Sequence, residues 1–264
     1  MNQDSDQTKK DQVRDQFTRN ASRYVTSTTH AKGDDLGRLA DWLELQPQWK
    51  VLDIATGGGH TAKTLAPLVK TVIAVDLTRP MLETARTFIS ESYDNVEYVV
   101  ADAEDLPFLD DTFDAVTCRI AAHHFPSPER FVREAARVLK PGGRLLLIDN
   151  VVPDDDALDA FVNRLELLRD ESHVRCHRIG EWEEWMRQAG MSGLASRTRK
   201  KTFDYTTWVR RTARSEDQVD TVTQHILLAD ARLQQYIGLV RQPDGAISRI
   251  HIDEWMAVAR KAGG

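Results

Sequence analysis

Residues 51–60 read Val51-Leu52-Asp53-Ile54-Ala55-Thr56-Gly57-Gly58-Gly59-His60, and a second apolar run, Val72-Ile73-Ala74-Val75-Asp76, follows. A short apolar run that breaks into glycines reads as a strand feeding a tight loop. The glycines let backbone N–H groups approach a ligand where the next helix begins. Outward from this loop, apolar runs alternate with helical stretches. The first helix extends to about residue 69, with others at 80–90 and 128–139; further strands fall at 71–75, 96–100, 113–118 and 144–149. Lys140-Pro141-Gly142-Gly143 is the stop signal after the last of these helices. Strands alternating with helices are βαβ units, and right-handed crossovers turn them into an open, doubly wound, mostly parallel sheet. The fold class is therefore α/β. Ligands of such sheets bind at the carboxyl ends of the strands, so functional residues are expected just after each strand.

The flanks are less regular. Val13, Phe17, Ala21 and Tyr24 recur at helical spacing, and Leu36, Leu39, Ala40 and Leu43 form a second stripe. Residues 1–48 are read as an amino-terminal helical lid and 49–264 as the main domain. In the tail, 155–170 and 180–190 read as helices, and 194–205 and 255–260 as strands. A helical insertion is expected at about 206–236, and Gln242-Pro243-Asp244-Gly245 is a turn signal.

Composition narrows the class. The 264 residues are 41% hydrophobic and 29% charged, as in a soluble protein with one sizeable core. A net charge of −6 argues against nucleic acid as a partner. Arg197, Arg199, Lys200 and Lys201 read as the solvated face of a late strand. Two distant cysteines, Cys118 and Cys176, make neither a disulfide framework nor a zinc site, so no metal is expected and a reducing compartment fits. The polar stretch from Met1 to Lys10 is no signal peptide, and the apolar run at 145–148 is too short to span a bilayer. A cytoplasmic protein without membrane insertion is expected. Nothing sets its oligomeric state; a homodimer is the default.

The glycine loop alone leaves the cofactor open. Gly57, Gly59 and Ala62 fit the dinucleotide pattern G-x-G-x-x-A with Asp76 at a suitable distance, so an NAD-dependent oxidoreductase is a rival reading. Asp76 can accept hydrogen bonds from both ribose hydroxyls of either cofactor. Other features favour a methyl donor. Asp53 lies within the first strand, and Ala101-Asp102-Ala103-Glu104 follows the third, where a carboxylate can accept from an adenine amino group. Phe113-Asp114-Ala115-Val116 leads into Cys118-Arg119-Ile120-Ala121-Ala122-His123-His124-Phe125, and Val138 to Leu145 carries the Lys-Pro-Gly-Gly turn. The chain has no Tyr-x-x-x-Lys pair of short-chain dehydrogenase type.

This order of motifs, over roughly residues 10–150, resembles the class I S-adenosylmethionine-dependent methyltransferases. It is nearest the methyltransferase type 11 branch that holds the ubiquinone and menaquinone C-methyltransferases. The resemblance implies a Rossmann-like, seven-stranded sheet. It also implies that Ala55, Thr56, Gly57 and Gly59 wrap the methionine moiety, with Asp53 steadying the loop and the ligand's ammonium. Asp76 would hold the ribose, Leu77 and Met81 would pack on the adenine, Asp102 and Ala103 would face its edge, and Arg119 would lie beside the cofactor. Phe17, Ala21 and Tyr24 match the family's F-x-x-x-A-x-x-Y helix over the site. Ala55 stands at the first glycine of the family's D-x-G-x-G-x-G, a variant tolerated if its φ is negative. The implied activity is methyl transfer to a small molecule, aromatic or quinone-like, with S-adenosylhomocysteine as product. The alternatives are an S-adenosylmethionine-binding protein with non-methyl chemistry, and the oxidoreductase above.

A base is needed only if the acceptor must lose a proton. His123 and His124, at the mouth beyond the fourth strand, are the first candidates, with His173 and His30 behind them; each could equally hydrogen-bond a loop. Arg169 and Arg175, with Asp170 between, read either as an anion site or as a helix-end salt bridge. Trp182, Trp185 and Trp208 read as packing of the lid or as a wall for a flat substrate.

Overall fold

The computed structural model describes residues 3–25 and 36–263, with side chains for 6–19 and 36–263. After helix α1 (Gln3–Val25), a turn of 3-10 helix and the short α2 (Leu39–Leu43), the chain runs β1 (Lys50–Ile54), α3 (His60–Leu65), β2 (Thr71–Asp76), α4 (Arg79–Ser90) and β3 (Val96–Val100). It continues through β4 (Phe113–Arg119), α5 (Pro128–Val138), β5 (Leu139–Val152), α6 (Asp156–Arg169), β6 (His177–Arg178) and α7 (Ile179–Gln188). The remainder is β7 (Met191–Asp204), α8 (Tyr205–Arg210), α9 (Glu216–Leu227), α10 (Ala231–Tyr236), β8 (Val240–Arg241) and β9 (Ile247–Lys261).

Seven strands form one sheet in the order β3-β2-β1-β4-β5-β9-β7, with the short β6 and β8 paired at its margin. The pairs from β3 to β5 are parallel and β9 runs antiparallel between β5 and β7. The sheet is mostly parallel and doubly wound. Strand order reverses at β1, beside β4, which is where such sheets open a crevice.

Period-two alternation sorts the strand residues into two cores. Leu52, Ile54, Val75, Val116, Leu145 and Leu147 face α5 and α7, meeting Phe131, Val132, Trp182 and Met186. Val51, Val72, Ala74, Ala115, Leu146 and Ile148 face the opposite helices, meeting Leu39, Leu43, Leu65, Ala85 and Ile89. A third cluster joins α6, α8 and α9 to the far ends of β7 and β9 through Phe161, Leu165, Trp208, Val222, Ile226 and Ile250.

Two boundaries differ from the sequence reading. Strand β5 takes in the Lys-Pro-Gly-Gly turn as an irregularity, because pairing with β4 jumps from Phe113–Leu139 to Ala115–Arg144. Strand β9 runs 15 residues, Ile247–Lys261, against the expected 255–260, while β7, Met191–Asp204, begins and ends within three residues of the expected 194–205. Their polar halves are stitched by cross-strand charge pairs: Arg199 and Lys201 with Glu254, and Lys200 with Asp253. Apolar periodicity cannot report such pairing.

The Ala55 expectation is corrected. Its φ is +52°, in the left-handed region, so alanine stands where glycine would be unstrained. Gly59, at +85°, has no such latitude: an added Cβ would lie 2.8 Å from Ile89 Cδ1 and 3.3 Å from the Ala85 backbone. Gly59→Ala is expected to cost roughly 2–4 kcal/mol, from left-handed strain and overpacking. A melting midpoint roughly 5–15 °C lower would show it. Ala55→Gly, which relieves strain and loosens the unfolded chain, should leave the midpoint unchanged or raise it by a few degrees. A fall as large as that of the Gly59 variant would refute this account of the loop.

Candidate active site

The loop after β1 is pinned by a buried carboxylate. Asp53, 1% exposed, accepts from the Thr56 hydroxyl at 2.6 Å and from the Thr117 hydroxyl of β4 at 2.7 Å. Burial pushes its pKa up to about 6, against the pull of those hydroxyls and of Arg119. One strand over, Asp76 accepts from the Gly57 N–H at 3.1 Å and from the N–H and hydroxyl of Thr78, both at 2.9 Å. Its pKa is also raised by burial. Both loops thus hang on strand-end carboxylates.

Between these loops lies a cleft of about 960 Å³, its open mouth included. It gathers Ala55, Thr56, Gly57, Asp76, Leu77, Met81, Asp102, Ala103 and Arg119, together with His124, Ile120 and, from α1, Lys10, Val13 and Phe17. Asp53 and Gly59 do not line it; they hold the loop from behind. Tyr24 falls in α1, but its side chain and that of Ala21 lie outside the described residues, as does His30.

At the far end of the cleft, Lys10 bridges Asp102 and Glu104 at 2.6 Å each, and Glu104 also accepts from the Ser127 N–H. Sequence reasoning missed Lys10. Its signal was present, since Lys10, Val13 and Phe17 share one helical stripe. Ile120, next to Arg119, has φ +54°, a conformation costly for a β-branched residue and held here by its N–H to the Ile148 carbonyl at 2.6 Å.

Beyond Ile120 a second cavity, about 520 Å³ with its mouth, shares Phe17, Ile120 and His124 with the first. It adds His123, Asn150, Arg169, Asp170, Lys201, Phe203, Trp208, Arg211 and Thr212. Of the four candidate histidines, His123 and His124 line this cavity and His173 lies behind them, each in a different state. His123 receives Asp149 twice: its N–H donates at 2.8 Å and its Nδ1 at 2.5 Å. Asp149 thereby fixes the tautomer and leaves Nε2 as the basic nitrogen. Burial works against the imidazolium, but Asp149, with Glu166 and Asp170 behind it, outweighs burial and raises the His123 pKa. His124 donates Nδ1 to the Ser172 carbonyl at 3.0 Å and meets Phe17 edge-on; burial and the neighbouring His123 push its pKa down to about 4. His173 bonds Asn163 at 3.0 Å and is pushed well below the usual histidine range, mainly by burial; it lines neither cavity.

Asp149 was not singled out from sequence, although it sits at the carboxyl end of a strand, where functional groups were expected. Arg175 pairs with Asp159 at 2.7 Å and lines neither cavity. Trp182 is buried in the core under α5, while Trp208 walls the second cavity. Among the described residues no cluster of His, Cys, Asp or Glu could hold a metal ion, and no helix is long and apolar enough to cross a membrane.

Fold and cleft define a doubly wound α/β protein with a cleft at the carboxyl edge of its sheet. Residues 52–147 match the methyltransferase domain family. The uncharacterized methyltransferase YcgJ of Bacillus subtilis is 40% identical over 80% of this chain and 83% of its own. The crystal structure of YcgJ superposes with a TM-score of 0.83, covering 87% of this chain and 98% of that one. The BH2331 protein of Bacillus halodurans C-125, 41% identical, gives 0.82 over 87% of this chain and all of its own. A demethylmenaquinone methyltransferase of Clavibacter sepedonicus is 38% identical over 54% of this chain and 59% of its own. The chain belongs to the methyltransferase family.

The buried charge pair gives a direct expectation. In a proton-NMR titration His123 should titrate above 6.5, while His124 stays neutral down to about 4. Asp149→Asn should bring the His123 midpoint down. Equal midpoints for His123 before and after that change would refute the Asp149 assignment.

Proposed function

We propose that the chain is an S-adenosylmethionine-dependent methyltransferase of small molecules, with the first cleft holding the methyl donor and the second cavity the acceptor. The observation that carries this reading is the His123–Asp149 pair on the wall of a cavity that shares Phe17, Ile120 and His124 with the cleft.

The donor set of the cleft suits that cofactor. Asp76 offers a carboxylate to a ribose diol, Leu77 and Met81 an apolar bed for a purine, and Asp102 with Ala103 the edge that an exocyclic amine needs. Ala55, Thr56 and Gly57 would hold the methionine end with Arg119 alongside. When bound, the cofactor supplies a methyl group already activated by a sulfonium charge. The protein's own contribution is alignment and exclusion of water, which can supply about 7–11 kcal/mol in favourable cases. Of the expected lid, 1–48, α1 takes that role, since Val13 and Phe17 line the cleft, whereas Leu39 and Leu43 of α2 belong to the second core. Lys10 meets the carboxylates at its adenine end.

His123 takes the acceptor's proton at Nε2, and Asp149 orients the ring and stabilises the charge that results. His124 shapes the common wall as a neutral ring, and His173 holds the loop behind it. A weakly acidic hydroxyl on an aromatic or quinone-like ring is the acceptor this arrangement serves. The similarity to a demethylmenaquinone methyltransferase supports the quinone-like ring and not the hydroxyl.

Thermal melting tests the cofactor. S-adenosylmethionine or S-adenosylhomocysteine at a hundred times its dissociation constant stabilises by about 2.7 kcal/mol, raising the midpoint by roughly 5–10 °C. NAD should give no shift, and a shift with NAD alone would sink the reading. His123→Gln should keep the full melting shift while kcat falls by about 10²–10⁴. A variant with undiminished kcat would remove the base from this mechanism.

A further inference from the structure

The second cavity has a wall whose charge the methyl-transfer chemistry does not require. Arg169, Lys201 and Arg211 all reach it, against a single lining carboxylate, Asp170. Asp170 is turned to its own loop: its Oδ1 accepts from the Ser172 N–H at 3.0 Å and from the Ser172 hydroxyl at 2.6 Å. The cations are deeply set, with the Arg169 side chain 7% exposed and that of Lys201 12%. Behind the wall Glu166 pairs with Arg169 and Glu254 with Lys201, neither carboxylate lining the cavity, while the lining Asp170 also acts on the Arg169 charge.

Aromatic rings alternate with these cations. The Arg169 guanidinium sits 4.5 Å from the Trp208 ring centroid, and the Lys201 ammonium 5.9 Å from that of Phe203. The two rings are themselves 6.3 Å apart. Stacking on Trp208 holds the guanidinium plane in place. A rigid, oriented guanidinium is suited to carboxylate or phosphate oxygens. Phe17 and Ile120, which also line the first cleft, and His123 complete the lining.

We infer that the acceptor is an anion: a flat, largely apolar molecule bearing a carboxylate or phosphate, its charge against Arg169, Lys201 and Arg211 and its ring against Phe203 and Trp208. This rests on the second cavity being the acceptor site. It goes beyond that reading by fixing the charge of what enters. The reacting hydroxyl would then be the group on the His123 side of the ring, with the anion pointing away from the cleft.

Three probes of matched shape, each with its hydroxyl at the end of the ring system opposite the variable group, test it: 6-hydroxy-2-naphthoate, 6-hydroxy-2-naphthyl phosphate, and the methyl ester of 6-hydroxy-2-naphthoate. Each is titrated by calorimetry into the full-length protein saturated with S-adenosylhomocysteine. At least one of the two anions should bind roughly tenfold or more tightly than the neutral ester, as expected for charge-assisted hydrogen bonds. Whichever anion wins tells a carboxylate site from a phosphate site. Arg211→Met, at the partly exposed rim, should remove most of that preference by weakening the anions more than the ester, while leaving the S-adenosylhomocysteine melting shift unchanged. Lys201→Met, which leaves Glu254 paired with Arg199, should do the same. An ester that binds as well as both anions, or no binding by any of the three at millimolar concentration, overturns the inference while the methyltransferase reading stands. Failure of S-adenosylhomocysteine itself to bind overturns the reading beneath it.

Discussion

Three carboxylates at the ends of parallel strands hold up everything that surrounds the site. Asp53, Asp76 and Asp149 close β1 and β2 and stand late in β5, and each is almost wholly removed from water. A carboxylate in that position is tolerated only if hydrogen-bond donors converge on it. Here the donors are the N–H groups and hydroxyls of the next loop or the neighbouring strand. The glycine loop, the Leu77–Thr78 corner and the His123 turn are shaped by the need to satisfy three buried anions. Side chains that line the cleft are placed as a consequence.

The same logic separates His123 from His124, which sequence alone leaves equivalent, and from His173, which it ranks behind them. All are buried, and burial by itself favours the neutral ring. His123 escapes because a carboxylate meets both its backbone and its ring. His124 and His173 have a carbonyl and an amide oxygen instead, so nothing near them compensates a positive charge fully. Assignment of a base thus depends on Asp149, a residue 26 positions away whose only sequence trace is its place at the end of a strand.

What could be read beforehand was whatever repeats locally. Strand β3 falls at 96–100 as expected, and β1, β2 and β4 within a residue, because each is a short apolar run with a turn on either side. The Asp76 and Asp102 positions follow from those strands. The second cavity had no such signature. Its walls come from Phe17, Ile120, Arg169, Lys201 and Trp208, which no local pattern groups, and β7 and β9 meet through charge pairs rather than apolar alternation. The Ala55 conformation was equally hidden: a left-handed φ is dictated by how the loop meets β2, where the Thr56 N–H reaches the Val75 carbonyl.

The split between the two cavities also runs along the chain. The matched family segment, 52–147, contains most of the first cleft, while Arg169, Lys201, Phe203, Trp208 and Arg211 all lie after it. One gene segment can thus keep one pocket while another drifts. Two proteins alike across 52–147 are free to differ in everything beyond β5, and inheritance of the first pocket says little about the shape of the second. The two recesses meet at Ile120, a strained residue inside the matched segment that lines both.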